Sequence, residues 1–229
     1  KLSKRNAKDE GISINTQDYI EQKFEPEALI NFLAYLGWSP GDDTEIHSME
    51  ELIDLFSLDR VSKGGAVFDY QKLTWYNEHY LREKSADELF PRVKEIANEH
   101  GIDPDEEYMK QIIPLMKDRV SKVEDFVTSG KFFFEDPEEY EEQAIEKWND
   151  NSAELLEAYV EKIEALDEDE FEAKTLKDKI KEVIEEYDVG FGPVMMPLRV
   201  AVSGMGHGPD LTPTIELLGK ETTIRRINT

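Results

Sequence analysis

The chain has 229 residues, long enough for one large or two ordinary domains with real cores, and it carries 52 Asp and Glu against 27 Lys and Arg. The formal charge of −25, taken globally, argues against a nucleic-acid partner, because phosphate binding rests on Lys and Arg. The absence of cysteine excludes disulfides and thiolate zinc sites and fits a reducing, cytoplasmic setting; no stretch approaches a membrane helix, and the basic start lacks the apolar core of a secretory signal.

The distribution of charge matters more than its sum. Residues 133–188 hold 22 acidic against 6 basic side chains, whereas residues 189–229 hold only Asp210, Glu216 and Glu221 against Arg199, Lys220, Arg225 and Arg226. The first 23 residues are also slightly basic. An acidic middle is thus flanked by ends that tolerate an anion, which permits RNA binding without showing it. The chain begins at Lys1 without a Met and reads as a piece of something longer.

In chain order, residues 6–24 read as a loop with one short turn. Pro26 suits a first helical position, and Ala28, Leu29, Phe32, Leu33 and Leu36 fall on one face before Gly37. Ser48 with Glu51 forms a capping box ahead of Leu52, Ile53, Leu55 and Phe56. Asp69 caps a helix carrying Leu73, Trp75, Tyr76 and Tyr80; Ser85 with Glu88 opens another, which Gly101 stops in the left-handed conformation. Asp103-Pro104 opens the next, and Pro114 should kink or break it, with Gly130 closing the second piece.

Phe132, Phe133 and Phe134 form a continuous aromatic run, read as a buried connector in preference to a platform for stacked bases. Asp136-Pro137 should start an acidic helix with Tyr140, Ala144, Ile145 and Trp148. Further amphipathic helices are expected over 152–166 and from Phe171 to Tyr187. Met195 to Val202 is a largely apolar run interrupted by Arg199, followed by a glycine-rich loop around His207 and two short helices over 211–218 and 220–227. No period-2 alternation requires a sheet. The expected fold is all-α, with a boundary near residue 130.

His47, His79, His100 and His207 lack ligand spacing, so no metal site is expected, and no Gly-rich loop follows a strand to make a nucleotide fold. With 52 carboxylates, acidic pairs carry no information.

Lys1-Leu2-Ser3-Lys4-Arg5 resembles the Lys-Met-Ser-Lys-Ser loop of class I aminoacyl-tRNA synthetases. Phe24-Glu25-Pro26-Glu27-Ala28-Leu29 leading to Leu36-Gly37-Trp38 is similar to the stretch after that loop in glutamyl-tRNA synthetases. Asp59-Arg60-Val61-Ser62-Lys63, Phe68-Asp69 and Lys72-Leu73 with Trp75, Asn77 and Tyr80 look like the next block. Pro197-Leu198-Arg199, Gly204 and Leu218-Gly219-Lys220-Glu221 through Arg225-Arg226 resemble the C-terminal end. Asn6-Ala7 departs from the family's usual His-Gly or Asp-Gly, and the acidic block matches nothing that anchors it.

The resemblance implies a bacterial-type enzyme, since the related glutaminyl enzymes carry β-barrels after the loop. It divides the chain into a signature loop and catalytic remnant (1–24), a stem-contact region (25–85) and two anticodon-binding helical subdomains (86–130 and 131–229). It implies that the intact enzyme uses ATP with Mg2+ and no zinc to join glutamate to tRNA-Glu, and that the isolated piece binds no cofactor and is inactive. Lys1, Ser3 and Lys4 are implied at the ATP phosphates, with Lys4 stabilising charge that builds during activation. Arg119 is implied as the reader of the third anticodon base, Arg199 and Leu211 as anticodon contacts. Arg225 and Arg226 read either as phosphate contacts or as favourable charge at a helix C-terminus. A monomer is expected. The competing reading is a non-enzymatic acidic helical interaction module.

Overall fold

The computed structural model describes residues 15–41 and 43–229, so Lys1, Ser3 and Lys4 lie outside the described residues. Among the described residues the fold is all-helical, with thirteen α-helices and no strand; one isolated bridge joins Trp38 and Val61.

The first body contains α1 (Thr16–Glu21), α2 (Pro26–Tyr35), α3 (Met49–Leu55) and α4 (Tyr70–Glu83). Local chemistry sets most of these starts. Pro26 occupies the first turn of α2, where its missing N–H costs nothing. At α3 the Ser48 hydroxyl accepts from Glu51 N at 3.2 Å while the Glu51 carboxylate accepts from Ser48 N at 2.8 Å. Asp69 caps α4 by accepting from Lys72 N at 3.0 Å. The core of this body is aromatic: Tyr19, Phe24 and Phe32 meet Leu73, Tyr76 and Tyr80, with Phe32 edge-on to Tyr76 at 6.2 Å. The expected apolar faces are narrower than the sequence suggests. Leu33 of α2 is exposed, and of the residues expected to bury α3 only Leu52 is buried, Ile53 remaining 67% and Phe56 54% exposed.

The second body begins with α5 (Ala86–Glu99), opened by the reciprocal Ser85–Glu88 box at 3.2 and 2.7 Å, and Gly101 follows it at φ +79° as expected. Helix α6 (Glu106–Met116) starts later than Asp103-Pro104, with Asp105 accepting from Tyr108 N at 2.9 Å. It runs through Pro114 rather than breaking there. Ile112, Ile113 and Met116 are all 1% exposed or less, so packing holds the turn whose hydrogen bond the proline deletes. The chain then tightens into a 3-10 turn, Lys117–Arg119, before the short α7 (Asp125–Thr128).

Beyond Gly130 lie α8 (Glu142–Ile145), α9 (Ser152–Glu164), α10 (Ala173–Glu186), α11 (Phe191–Ser203), α12 (Leu211–Leu218) and α13 (Lys220–Ile227). The last two match their expected spans. The long acidic helix expected from Asp136-Pro137 does not form: only α8 does, and Tyr140, Ile145 and Trp148 stay exposed. Crowded like charges from Glu135 to Glu142 oppose a helix. The segment instead spends its groups on the end of α11, Glu141 N donating to Gly204 O at 2.9 Å and Gly206 N to the Glu141 carboxylate at 2.8 Å. The apolar run around Arg199 is itself a helix, α11, although Pro193 and Pro197 lie in it. Burial of Val194, Leu198 and Val202 against α9, α10 and α13 sustains it.

Phe132 and Phe133 are buried, with ring centroids 4.4 Å apart, so the aromatic run is core. One hydrophobic cluster runs from Leu81 through Phe126, Phe132, Tyr159 and Leu198 to Leu218, continuous across residue 130.

The two bodies meet at a charged seam. Glu25, its side chain fully buried, accepts from Arg92 Nη1 at 2.7 and 2.9 Å and pairs with Lys84 at 2.9 Å. Its backbone N–H donates to Asn77 Oδ1 at 2.7 Å, and the Asn77 amide donates onward to Ser121 O. Lys122 sits 4.8 Å over the Phe24 ring. These contacts fasten the loop that follows Arg119 to the first body.

Candidate nucleic-acid interface

Arg199 lies on α11, half-buried, and its head reaches the adjoining loop. Nη1 donates to Pro209 O at 2.8 Å. The loop comes this close because residue 208 is glycine: it holds φ +144°, and a Cβ there would stand 3.2 Å from Arg199 Nη1. Burial pulls the Arg199 pKa down, repulsion from Arg119 adds to that, and Asp210 opposes it. The group remains charged at neutral pH.

The structure therefore brings together two arginines that are eighty residues apart in sequence. Arg119 ends the 3-10 turn after α6 and is exposed. That turn is tied down from the first body, since Lys117 Nζ donates to Arg82 O at 3.3 Å and to Lys84 O. The loop after it is closed by Asp125, which accepts from Ser121 N and Lys122 N at 2.8 Å each. Among the described residues no carboxylate is paired with Arg119 or Arg199. Asp210 is the acidic group that acts on Arg199, while Arg119 and Arg199 repel each other in a chain of net charge −25.

Leu211, the first residue of α12, is buried in the main core. Its proven contribution is packing that seats the start of α12.

Arg225 and Arg226 do something the sequence reading did not foresee: both hold Asp136. Arg226 is 5% exposed at its side chain and donates Nε to Asp136 Oδ1 at 2.9 Å, Nη1 to Val202 O at 2.6 Å and Nη2 to Glu135 O at 2.9 Å. Arg225 is half exposed and forks the same carboxylate, Nη2 to Oδ1 at 3.0 Å and Nη1 to Oδ2. Hydrogen bonds from Arg225 and then Arg226 hold the Asp136 pKa down at about 2. Because that value is depressed in the folded state, the stabilisation is complete above the ordinary carboxylate range and is lost as pH falls toward 2. The urea midpoint of Asp136→Asn should thus lie below that of the unmodified protein by a constant amount above about pH 5, and the two should converge between about pH 4 and 2. A gap that persists unchanged to pH 2 contradicts the assignment.

Sequence reasoning missed Asp136, Lys117 and Asp125, whose partners are distant or lie in irregular backbone. Among the described residues no group of three His, Asp or Glu side chains is placed to hold a metal ion.

A family model described as "Anticodon binding domain" matches residues 84–229, the stretch that contains Arg119, Arg199, Arg225 and Arg226. The chain belongs to that family. A second model, "tRNA synthetases class I (E and Q), catalytic domain", matches residues 1–75 and so spans the signature-like loop and most of the first body. The glutamate–tRNA ligase of Cytophaga hutchinsonii is 38% identical over 240 residues, covering 99% of this chain and 46% of the relative. That of Parabacteroides distasonis is 41% identical over 91% of this chain and 41% of the relative. A crystal structure of a glutamate tRNA ligase from Elizabethkingia meningosepticum in complex with its amino acid superposes with a TM-score of 0.87 at 38% identity, over 100% of this chain and 47% of that one. The chain thus spans a little under half the length of the relatives it matches. Its homology to bacterial glutamate–tRNA ligases extends over both bodies, and the all-helical second body is their anticodon-binding region.

Proposed function

We propose that this chain is the tRNA-recognising part of a glutamate–tRNA ligase whose intact form uses ATP to attach glutamate to glutamate tRNA. The observation that supports it most is the Arg119–Arg199 pair, two arginines close enough to repel each other in a strongly acidic molecule and lying within the anticodon-binding match. Sequence-specific RNA readers take unstacked loop bases and bond their edges, for which a guanidinium fork is well suited. Arg199, partly desolvated and steered by Pro209 O, is a preorganised donor, while Arg119 is exposed to solvent.

In this reading residues 1–24 belong to the catalytic side, 25–85 contact the tRNA stem, and 86–130 with 131–229 form the anticodon-binding subdomains. Lys1, Ser3 and Lys4 serve the ATP phosphates in the intact enzyme, Lys4 supplying the preorganised cation that meets charge building on them. Without the rest of the catalytic domain the chain is inactive as a ligase, and it acts as a monomer in the cytoplasm. The described helices include none long and apolar enough to cross a membrane.

The experiment is a swap of the third anticodon base. Glutamate tRNA and a variant altered only at that base are titrated against the chain and against Arg119→Gln. The unmodified chain should prefer the original base by about tenfold, and Arg119→Gln should reduce that preference to about twofold or less. An unchanged preference in Arg119→Gln removes Arg119 from third-base recognition.

A further inference from the structure

Arg199 is oriented by Pro209 O at 2.8 Å, and Pro209 ends the glycine-rich loop that follows α11. The acidic strap running from Glu135 into α8 lies against that loop, and Glu141 grips it through both backbone and side chain. Its N–H donates to Gly204 O at 2.9 Å, its Oε2 accepts from Gly206 N at 2.8 Å, and its Oε1 lies 3.3 Å from His207 Nδ1. The approach is too close for a methyl group. A Cβ on Gly204 would stand 2.7 Å from Glu139 O, and one on Gly206 3.0 Å from Ala144 Cβ.

The other end of the strap is anchored too. Asp136 is forked by Arg225 and Arg226, and Arg226 also holds Glu135 O and Val202 O. On the side of α11, Ser203 Oγ donates to Arg199 O at 2.8 Å and accepts from Met205 N at 3.3 Å. The loop is therefore fixed between the strap and the helix that carries Arg199. A stretch with glycine at 204, 206 and 208 has wide conformational freedom unless something outside it removes that freedom. The charge-assisted bond from Gly206 N to the Glu141 carboxylate does so three residues before Pro209.

We propose that Glu141 is a positioning residue for Arg199: by holding Gly206 it fixes Pro209 O, and through it the direction in which the guanidinium meets an anticodon base. The proposal rests on the anticodon reading of Arg199. Recognition by hydrogen bonds needs its donors held to within about 0.5 Å and about 10–20°. A carboxylate acting by charge alone has the opposite effect, because it repels RNA and its removal tightens the binding of any tRNA. The sign of the change separates the two roles.

The test titrates the full chain, Glu141→Ala, Glu141→Gln, Arg199→Ala and the double variant of Glu141→Ala with Arg199→Ala. Each is given glutamate tRNA and a non-cognate tRNA at one salt concentration, and each is checked by thermal melting. The Glu141 side chain is 40% exposed, so both of its substitutions keep the fold. Glu141→Ala should weaken glutamate tRNA about fivefold and leave the non-cognate tRNA bound as tightly or more tightly. Glu141→Gln should keep the preference, since its amide oxygen still accepts from Gly206 N. The double variant should lose no more preference than Arg199→Ala alone, because Glu141 acts through that arginine. If Glu141→Ala keeps the full preference while Arg199→Ala loses it, if the two losses add, or if Glu141→Gln fails as Glu141→Ala does, the positioning role is overturned and the anticodon reading stands. If Arg199→Ala keeps the preference, or the unmodified chain binds no RNA, both fall.

Discussion

Replacing Arg199 by alanine should lower affinity for glutamate tRNA about 10- to 100-fold, corresponding to about 1.4–2.8 kcal/mol, while shifting the melting temperature by only a few degrees. The separation of the two effects follows from the geometry. Within the protein Arg199 makes one neutral-acceptor hydrogen bond, to Pro209 O, whose loss costs about 1 kcal/mol. Toward RNA it offers the rest of a guanidinium fork that is partly desolvated and repelled by the neighbouring Arg119, with Asp210 opposing. Arg199→Lys should fall between, retaining charge but not the fork. Raising salt should weaken binding in every variant, and the slope should be shallower for Arg199→Ala. Filter-binding or anisotropy titrations at two salt concentrations read both quantities. A large melting shift without loss of affinity marks Arg199 as structural.

Arg226→Met is expected to show the opposite pattern: a loss of about 2–4 kcal/mol of stability, or about 5–15 °C in melting temperature, with RNA affinity unchanged once the protein is folded. The guanidinium is buried and answers three acceptors at once, so its removal strands Val202 O, Glu135 O and part of Asp136. The half-exposed Asp136 and its second partner Arg225 keep the cost below that of a wholly buried pair. The bond matters because Val202 is on the helix that carries Arg199, and Glu135 and Asp136 lead into the segment that closes over Gly204 and Gly206. Arg226→Lys should lose most of the same stability, because an ammonium cannot span the three acceptors in their fixed directions. Urea unfolding of the three proteins at pH 7 measures this; equal midpoints contradict it.

Features visible in the sequence were those whose physics is local. Ser48 with Glu51 and Ser85 with Glu88 close their boxes within one turn, and Asp69 needs only its own helix, so three residues of sequence suffice to place each start. The stripes of α9 and α10 likewise repeat within each helix. Where distant chain decides the outcome, the pattern misleads. Tyr140, Ile145 and Trp148 have helical spacing, but Glu141 is drawn to Gly204 and Gly206, sixty residues on, and the stripe stays in solvent. The two prolines of α11 disguise a helix that its burial among three others supports.

The site was legible in part. Arg199 stood out because a charge inside an apolar run demands a reason, and its position next to Arg119 came from the fold alone. Nothing in the local sequence of Arg225 and Arg226 points to Asp136, about ninety residues earlier, which is why they read as phosphate contacts or as favourable charge at a helix C-terminus. The resemblance supplied the family; the geometry separated the arginines that face outward from the one that holds the molecule together.

Titration of the chain with glutamate tRNA and with a non-cognate tRNA at one fixed low salt concentration tests the central claim most directly. The account predicts saturable binding to both, with the glutamate tRNA held at least tenfold more tightly and that margin lost in Arg199→Ala. Equal affinity for the two tRNAs, or no binding to either, would contradict it.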